Sequence, residues 1–169
     1  ISMIFYLVTP LILIFSSSLG LIINPSWSIS PFIWVFVLVP IIDLLLPYLN
    51  KDELELKENI FHNFSILIVL PCILFLIIFG LYIVSNPNIT IFTAAALGAA
   101  VGMSGGSIGI TTAHELIHRQ NKFMRSIGVF LLVLCFYGHF RIEHIYGHHR
   151  NVATKEDPAT ARRGENFYF

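Results

Sequence analysis

Apolar positions in this chain are grouped in long blocks, and short polar stretches separate the blocks. Each block approaches the roughly 20 helical residues that cross a hydrocarbon core of about 30 Å. The blocks run approximately from Met3 to Ile23, Pro31 to Pro47, Ser65 to Val84 and Ile91 to Ala113. The pattern therefore predicts about four transmembrane helices.

A fifth apolar stretch, from Ile127 to Tyr137, has only 11 residues. At about 1.5 Å per residue it covers roughly 16 Å, which is too little to cross the core. We therefore expect a re-entrant or interfacial helix, so that the polar segments on either side of it face the same compartment.

Composition supports a membrane protein, because 56% of the 169 residues are hydrophobic and 12% are charged. No basic residue precedes the first apolar run, which we therefore interpret as an anchor helix rather than a cleaved signal peptide. The net charge is zero, which argues against nucleic acid as a partner. We predict an all-α integral membrane protein, with residues 1–169 forming a single domain that is truncated at both ends.

Basic residues between the runs predict the orientation in the bilayer. The segment after the second run contains Lys51 and Lys57, and the segment after the fourth contains Arg119, Lys122 and Arg125. Because cytoplasmic loops are enriched in Lys and Arg, both segments should be cytoplasmic.

Histidines provide the clearest chemical signal, since six of the seven lie between positions 114 and 149. His114 and His118 are four residues apart, which on a helix places two imidazoles on one face. His144 and His148 repeat this spacing, whereas His149 should point about 100° away from His148 and reach a second metal ion. Five imidazoles exceed the four ligands of a structural zinc ion, so the pattern favours two metal ions.

The metal itself has two interpretations. The sequence His114-Glu115-Leu116-Ile117-His118 matches the HExxH pattern of zinc proteases, in which Glu115 would be the general base. Iron accounts better for the surplus histidines and for redox chemistry with O₂, because zinc does not change valence. A membrane metal sensor or transporter is a further, non-enzymatic alternative.

Two carboxylates stand beside these histidines in the sequence. Glu115 and Glu143 are candidates for accepting a hydrogen bond from an imidazole N–H, although either is also compatible with a solvated interfacial side chain. His139 lies near the second group but is not expected to bind metal.

The histidine motifs resemble those of integral-membrane alkane 1-monooxygenases, with xylene monooxygenases and membrane fatty-acid desaturases as more distant relatives. The first histidine box corresponds to residues 114–119 and the second to residues 137–149. The stretch VATKEDPAT at 152–160 and the short Pro40-Ile41-Ile42-Asp43 also resemble that family.

This resemblance implies terminal hydroxylation of an alkane or another hydrophobic substrate at two non-haem iron ions, with O₂ as co-substrate. It implies electrons from rubredoxin and rubredoxin reductase, and a bacterial inner membrane with the histidine boxes facing the cytoplasm. The implied iron ligands are His114, His118, His144, His148 and His149. A third histidine box is expected downstream of Phe169, so the fragment alone should be inactive. A related desaturase or xylene-type monooxygenase is the alternative.

Overall fold

A computed structural model describes residues 2–45 and 60–166, and within these ranges it is helical and contains no strand. The described helices are α1 (Ser2–Ile22), α2 (Ser30–Ile33, Trp34–Leu38 and Val39–Leu45), α3 (Ile60–Leu67 and Val69–Val84), α4 (Ile91–Ser104, Gly105–Gly109 and Ile110–Ile117), α5 (Lys122–Leu134) and α6 (Phe140–Ile142, Glu143–His148 and His149–Asn151). The middle segments of α2, α4 and α6 are π-helical turns.

Three of the described helical stretches are long and apolar enough to cross a membrane. They are Pro25–Ile42, Asn63–Val84 and Ile91–Ile117, and a shorter apolar helix covers Pro10–Ile22. The predicted all-helical membrane class is confirmed. Lys51 and Lys57, on which part of the predicted orientation rests, lie outside the described residues.

Helix α4 extends further than its apolar pattern predicted. It begins after Thr90, whose hydroxyl accepts a hydrogen bond from the Thr93 backbone N–H at 3.2 Å. It continues to Ile117, four residues beyond Ala113, because intrahelical hydrogen bonds satisfy the backbone whether the side chains are apolar or polar. His114 therefore lies on the last turn of this helix rather than after it.

Helices α4 and α5 form a closely packed hairpin. Helix α5 begins at Lys122, where Asn121 accepts hydrogen bonds from Phe123 and Met124, rather than at Ile127 as predicted. A Cβ atom on Gly128 would lie 2.7 Å from Leu116 Cβ, so glycine permits the contact. The 13-residue helix spans about 20 Å, which agrees in length with a re-entrant or interfacial element.

A sharp reversal ends α5 and returns the chain toward the end of α4. Phe136 adopts a left-handed conformation with φ of 56°. The Tyr137 N–H donates to the Leu132 carbonyl at 2.8 Å and the Phe136 N–H donates to the Val133 carbonyl at 3.0 Å. These two bonds form a Schellman motif, in which glycine usually occupies the left-handed position.

The main core joins helices α1, α3, α4 and α5. Its buried members are Leu13, Val69, Ile73, Ile108, Ala113, Ile117, Leu131 and Leu132. A polar contact also ties α1 to α4, since the buried hydroxyls of Ser17 and Ser104 lie 2.6 Å apart. Small hydroxyl residues of this kind allow close approach and hydrogen bonding between membrane helices. The core fixes the end of α4, on which the first histidine box stands.

Candidate metal centre

The two histidine boxes meet at the end of α4. His114 and His118 belong to the last turn of α4 and its C-cap, and the reversal at Phe136 carries α6 back beside them. The Phe140 ring stacks on the His144 ring with centroids 4.7 Å apart, and it lies 6.0 Å from His114. An aromatic side chain thus covers one flank of the histidines.

Four imidazoles converge on one point. His144 Nε2 lies 2.7 Å from His114 Nε2, 3.2 Å from His118 Nε2 and 2.9 Å from His149 Nε2. Nitrogens bound to one ion at about 2.1 Å are themselves roughly 3 Å apart, so these separations are close to those of a ligand set. We refer to His114, His118, His144 and His149 as the imidazole cluster.

A π-helical turn sets the register of the second box. In the turn Glu143–His148 the N–H of residue i+5 donates to the carbonyl of residue i, so residues five apart share a face. His149 therefore lies beside His144, with their Nε2 atoms 2.9 Å apart. The His148 ring is stacked on His144 at 5.6 Å between centroids.

His148 is held from outside the cluster by Asp157. Its Nδ1 lies 3.0 Å from both carboxylate oxygens of Asp157. The Asp157 side chain has no solvent-exposed area, and it also accepts hydrogen bonds from the backbone of Ala153 and Ala159 and from the Thr160 hydroxyl. Although burial alone raises its pKa, the hydrogen bonds from Thr160, Ala159, His148 and Ala153 hold the pKa of Asp157 well below its usual range.

The electrostatics of the cluster favour neutral imidazoles. Burial, followed by the neighbouring histidines His114, His149, His118 and His148, lowers the pKa of His144 to about 4. Burial, with His114 and His149, also lowers the pKa of His118, and Glu115 opposes this shift. Because a metal binds the deprotonated ring nitrogen, the lowered pKa values of His144 and His118 favour binding of a cation at these two rings.

The two carboxylates expected beside the ligands have other neighbours. Glu115 forms an ion pair with Arg119 at 2.8 Å. Glu143 lies 3.9 Å from His139, which exceeds hydrogen-bond distance, and both side chains are exposed. The ring of His139 packs against Tyr137 rather than against the imidazole cluster.

Sequence reasoning missed Asp157 and Phe140 as parts of the site. The motif at 152–160 includes Asp157, but no spacing rule connects it to His148 nine positions earlier. The sequence did contain a signal for Asp157, which is an acidic residue in a loop rich in small residues directly after a histidine box.

Comparisons with known proteins agree with the geometry. The fatty acid desaturase family matches residues 89–169. An alkane 1-monooxygenase of Alcanivorax borkumensis is 35% identical over 159 residues, covering 89% of this chain and 39% of the relative. An alkane 1-monooxygenase of Acinetobacter baylyi is 31% identical over 137 residues, covering 78% of this chain and 33% of the relative. No solved structure matches the chain.

A helical membrane bundle that ends in two histidine boxes, together with the match of residues 89–169 to the fatty acid desaturase family, defines the class that the chain resembles: the membrane fatty acid desaturase and hydroxylase superfamily. Within that superfamily the relatives it matches are bacterial alkane 1-monooxygenases. The chain spans about two fifths or less of the length of these relatives.

Proposed function

We propose that this chain forms part of a membrane monooxygenase that hydroxylates the terminal carbon of an alkane at a histidine-ligated pair of iron ions. The observation that carries the proposal is that the Nε2 atoms of His114, His118 and His149 each lie within 3.2 Å of His144 Nε2, so that both histidine boxes meet at one point. The alkane 1-monooxygenase relatives supply the reaction class.

The donor set fits iron. Neutral imidazole is a good ligand for iron, and the cluster combines such donors with a site whose central histidine stays uncharged at neutral pH. His114, His118, His144, His149 and, through its Nε2, His148 would hold the metal, while Nδ1 of His148 is hydrogen-bonded to Asp157. Further ligands from outside the described residues would complete a two-iron centre.

Iron bound here would supply the activation of O₂, which the side chains themselves cannot perform. One oxygen atom enters the substrate C–H bond and the other leaves as water, with two electrons and two protons supplied from outside. The chain's own residues position the histidines, and Phe140 shields one flank of His144 and His114. His118 and His149 are exposed in the described part of the chain.

An apolar groove offers a place for a hydrocarbon chain. It has a volume of about 410 Å³ and lies between α3, α4 and the end of α5, with Gly98, Gly102 and Gly106 on its α4 wall. A Cβ atom on any of these glycines would meet nothing within 4 Å, so the groove is open along this wall. We propose that an alkyl chain lies in it and directs its terminal carbon toward the histidines.

Electron delivery completes the proposal. We propose that rubredoxin, reduced by rubredoxin reductase, docks on the cytoplasmic face of an inner membrane beside the second box. Exposed cations follow that box at Arg150, Lys155, Arg162 and Arg163, and they would steer an acidic carrier.

Product analysis tests the reaction. The full-length protein, supplied with reduced rubredoxin and O₂, should convert octane or hexadecane to the primary alcohol, and ¹⁸O₂ should label the hydroxyl. A desaturase would give only alkenes or unsaturated acyl chains, which would overturn the assignment. Alcohol formed without ¹⁸O from O₂ would also contradict it.

The zinc-protease alternative predicts other results. It requires zinc in place of iron, activity that does not need O₂, and loss of proteolysis in Glu115→Gln. The ion pair between Glu115 and Arg119 instead predicts that Glu115→Gln keeps measurable hydroxylation.

A further inference from the structure

The carboxylate of Asp157 forms the outer support of the second histidine box. We propose that Asp157 is a positioning residue, which fixes the proton of His148 on Nδ1 so that its Nε2 is free to bind metal, and which joins the loop of residues 153–160 to the metal centre. This inference rests on the proposed function, because it assigns a role to residues around the same site.

The geometry restricts His148 to one tautomer. Both Asp157 oxygens lie 3.0 Å from His148 Nδ1, and an ionised carboxylate only accepts hydrogen bonds. Nδ1 must therefore carry the proton, which leaves the lone pair on Nε2. Imidazoles that bind metals commonly donate their other N–H to a carboxylate, which orients the ring and raises its basicity.

The burial of Asp157 makes the arrangement specific. An ionised carboxylate without solvent exposure is stable only if its oxygens are well hydrogen-bonded. Its Oδ1 accepts from the Ala159 N–H at 2.9 Å, and its Oδ2 accepts from the Ala153 N–H at 3.3 Å and from the Thr160 hydroxyl. The Asp157 carboxylate thus accepts hydrogen bonds from both ends of the loop and from His148.

The packing of the loop supports the same connection. A Cβ atom on Gly147, the residue before His148, would lie 3.1 Å from Pro158 Cγ, so the loop rests directly on the helix that bears the histidines. Ala153 adopts a left-handed conformation with φ of 63°, in which its N–H reaches Asp157. A change in the position of His148 is therefore transmitted to the loop through Asp157.

Three variants test the role. Asp157→Asn replaces one acceptor oxygen with an NH₂ group that faces existing N–H donors, and so weakens the orientation of His148. Glu156→Gln is the matched control, because it removes the neighbouring, exposed carboxylate without a contact to His148. Thr160→Val removes one loop hydrogen bond and leaves the His148–Asp157 contact in place.

The first measurement uses ¹⁵N NMR of histidine-labelled, metal-free full-length protein. The wild-type His148 should be protonated at Nδ1, and Asp157→Asn should shift it toward protonation at Nε2 or a mixture. Wild-type His148 protonated at Nε2 would overturn the proposal, and this result does not depend on the folding of any variant.

The second measurement is the affinity of the same proteins for Fe²⁺ added anaerobically. Asp157→Asn should bind iron about 10- to 100-fold more weakly than the wild type, whereas Glu156→Gln and Thr160→Val should stay within about threefold. Hydrogen exchange in residues 153–160 should slow when wild-type protein binds iron. Unchanged affinity and tautomer in Asp157→Asn would overturn the positioning role, whereas a wild type that binds no iron would overturn the proposed metal centre instead.

Discussion

His144 is the residue on which the candidate site depends, because its Nε2 lies near the Nε2 atoms of His114, His118 and His149. Each neighbour contributes to keeping it uncharged, since a second positive charge at this distance is unfavourable. The imidazole cluster therefore has its ring nitrogens already close together, and a bound metal would replace the contacts that His144 makes with the other rings.

The lowered pKa of His144 predicts a pH dependence of stability in the metal-free protein. Unfolding returns the pKa from about 4 toward 6.5, so the unfolded chain binds the proton more readily between these values. The free energy of unfolding should fall as the pH decreases from about 6.5 to about 4, and should not depend on His144 above about 7.5. Thermal unfolding in detergent, followed by circular dichroism, measures it.

The control for this prediction is His144→Gln, which removes the titrating group. The variant should lose part of the decrease in stability between pH 6.5 and 4. A wild-type midpoint that rises as the pH falls through this window would contradict the assigned environment of His144.

His149 and His139 have different surroundings in the structure. His149 contacts His144 at 2.9 Å, whereas the ring of His139 packs on Tyr137. His149→Ala should reduce the iron content of the purified protein by at least about half, since loss of a ligand removes a metal–nitrogen bond, and His139→Ala should leave it nearly unchanged. Elemental analysis measures the iron content of both variants. An equal loss of iron in the two variants would show that the imidazole cluster is wrongly defined.

At the scale of elements, the π-helical turn in α6 sets the ligand geometry. Sequence spacing predicted that His114 and His118 share a helix face. The end of α4 that bears them is α-helical, which is the geometry that this prediction assumes. Sequence spacing did not predict that His149 also lies beside His144, because a π turn adds one residue to a helical turn and no local sequence pattern marks it. The hydrophobic runs predicted the helices well, since backbone groups in lipid must be satisfied within a helix.

Adding one residue to this turn tests its role. Insertion of an alanine after the exposed Tyr146 should place His149 six residues after His144 and rotate it by about 100° away from His144. Iron content should then fall although every histidine remains in the chain. Tyr146→Ala is the control, because it shortens the side chain at the same position and preserves the register. Full iron content in the insertion variant would show that the turn does not set the geometry.

At the scale of the whole molecule, the bundle places an apolar groove and a polar metal site along the same helix. Gly98 and Gly106 lie on the groove wall, about 12 Å apart along α4, and Gly106 is nearer to His114 in sequence. Hydropathy predicted the helices that form this groove. It could not predict the groove itself, because side-chain packing between distant segments determines which faces remain open.

Blocking the groove at its two ends should have different effects on substrate length. Gly98→Leu should lower activity on hexadecane by at least about tenfold and on octane by less than about threefold, because only the longer chain reaches that end. Gly106→Leu should lower activity on both alkanes. A Cβ atom at either position meets nothing within 4 Å, so the first atom of each new side chain has room. Competition assays measure the ratio of hexadecane hydroxylation to octane hydroxylation in each variant. The same change of this ratio in both variants would contradict this binding mode.

Metal analysis with Mössbauer spectroscopy of the full-length protein tests whether both histidine boxes hold iron together. After anaerobic loading with ⁵⁷Fe²⁺, we expect about two irons per chain in nitrogen-rich environments, with the iron lost in His144→Ala. A single zinc ion per chain, or iron binding that is unaffected by His144→Ala, would contradict it.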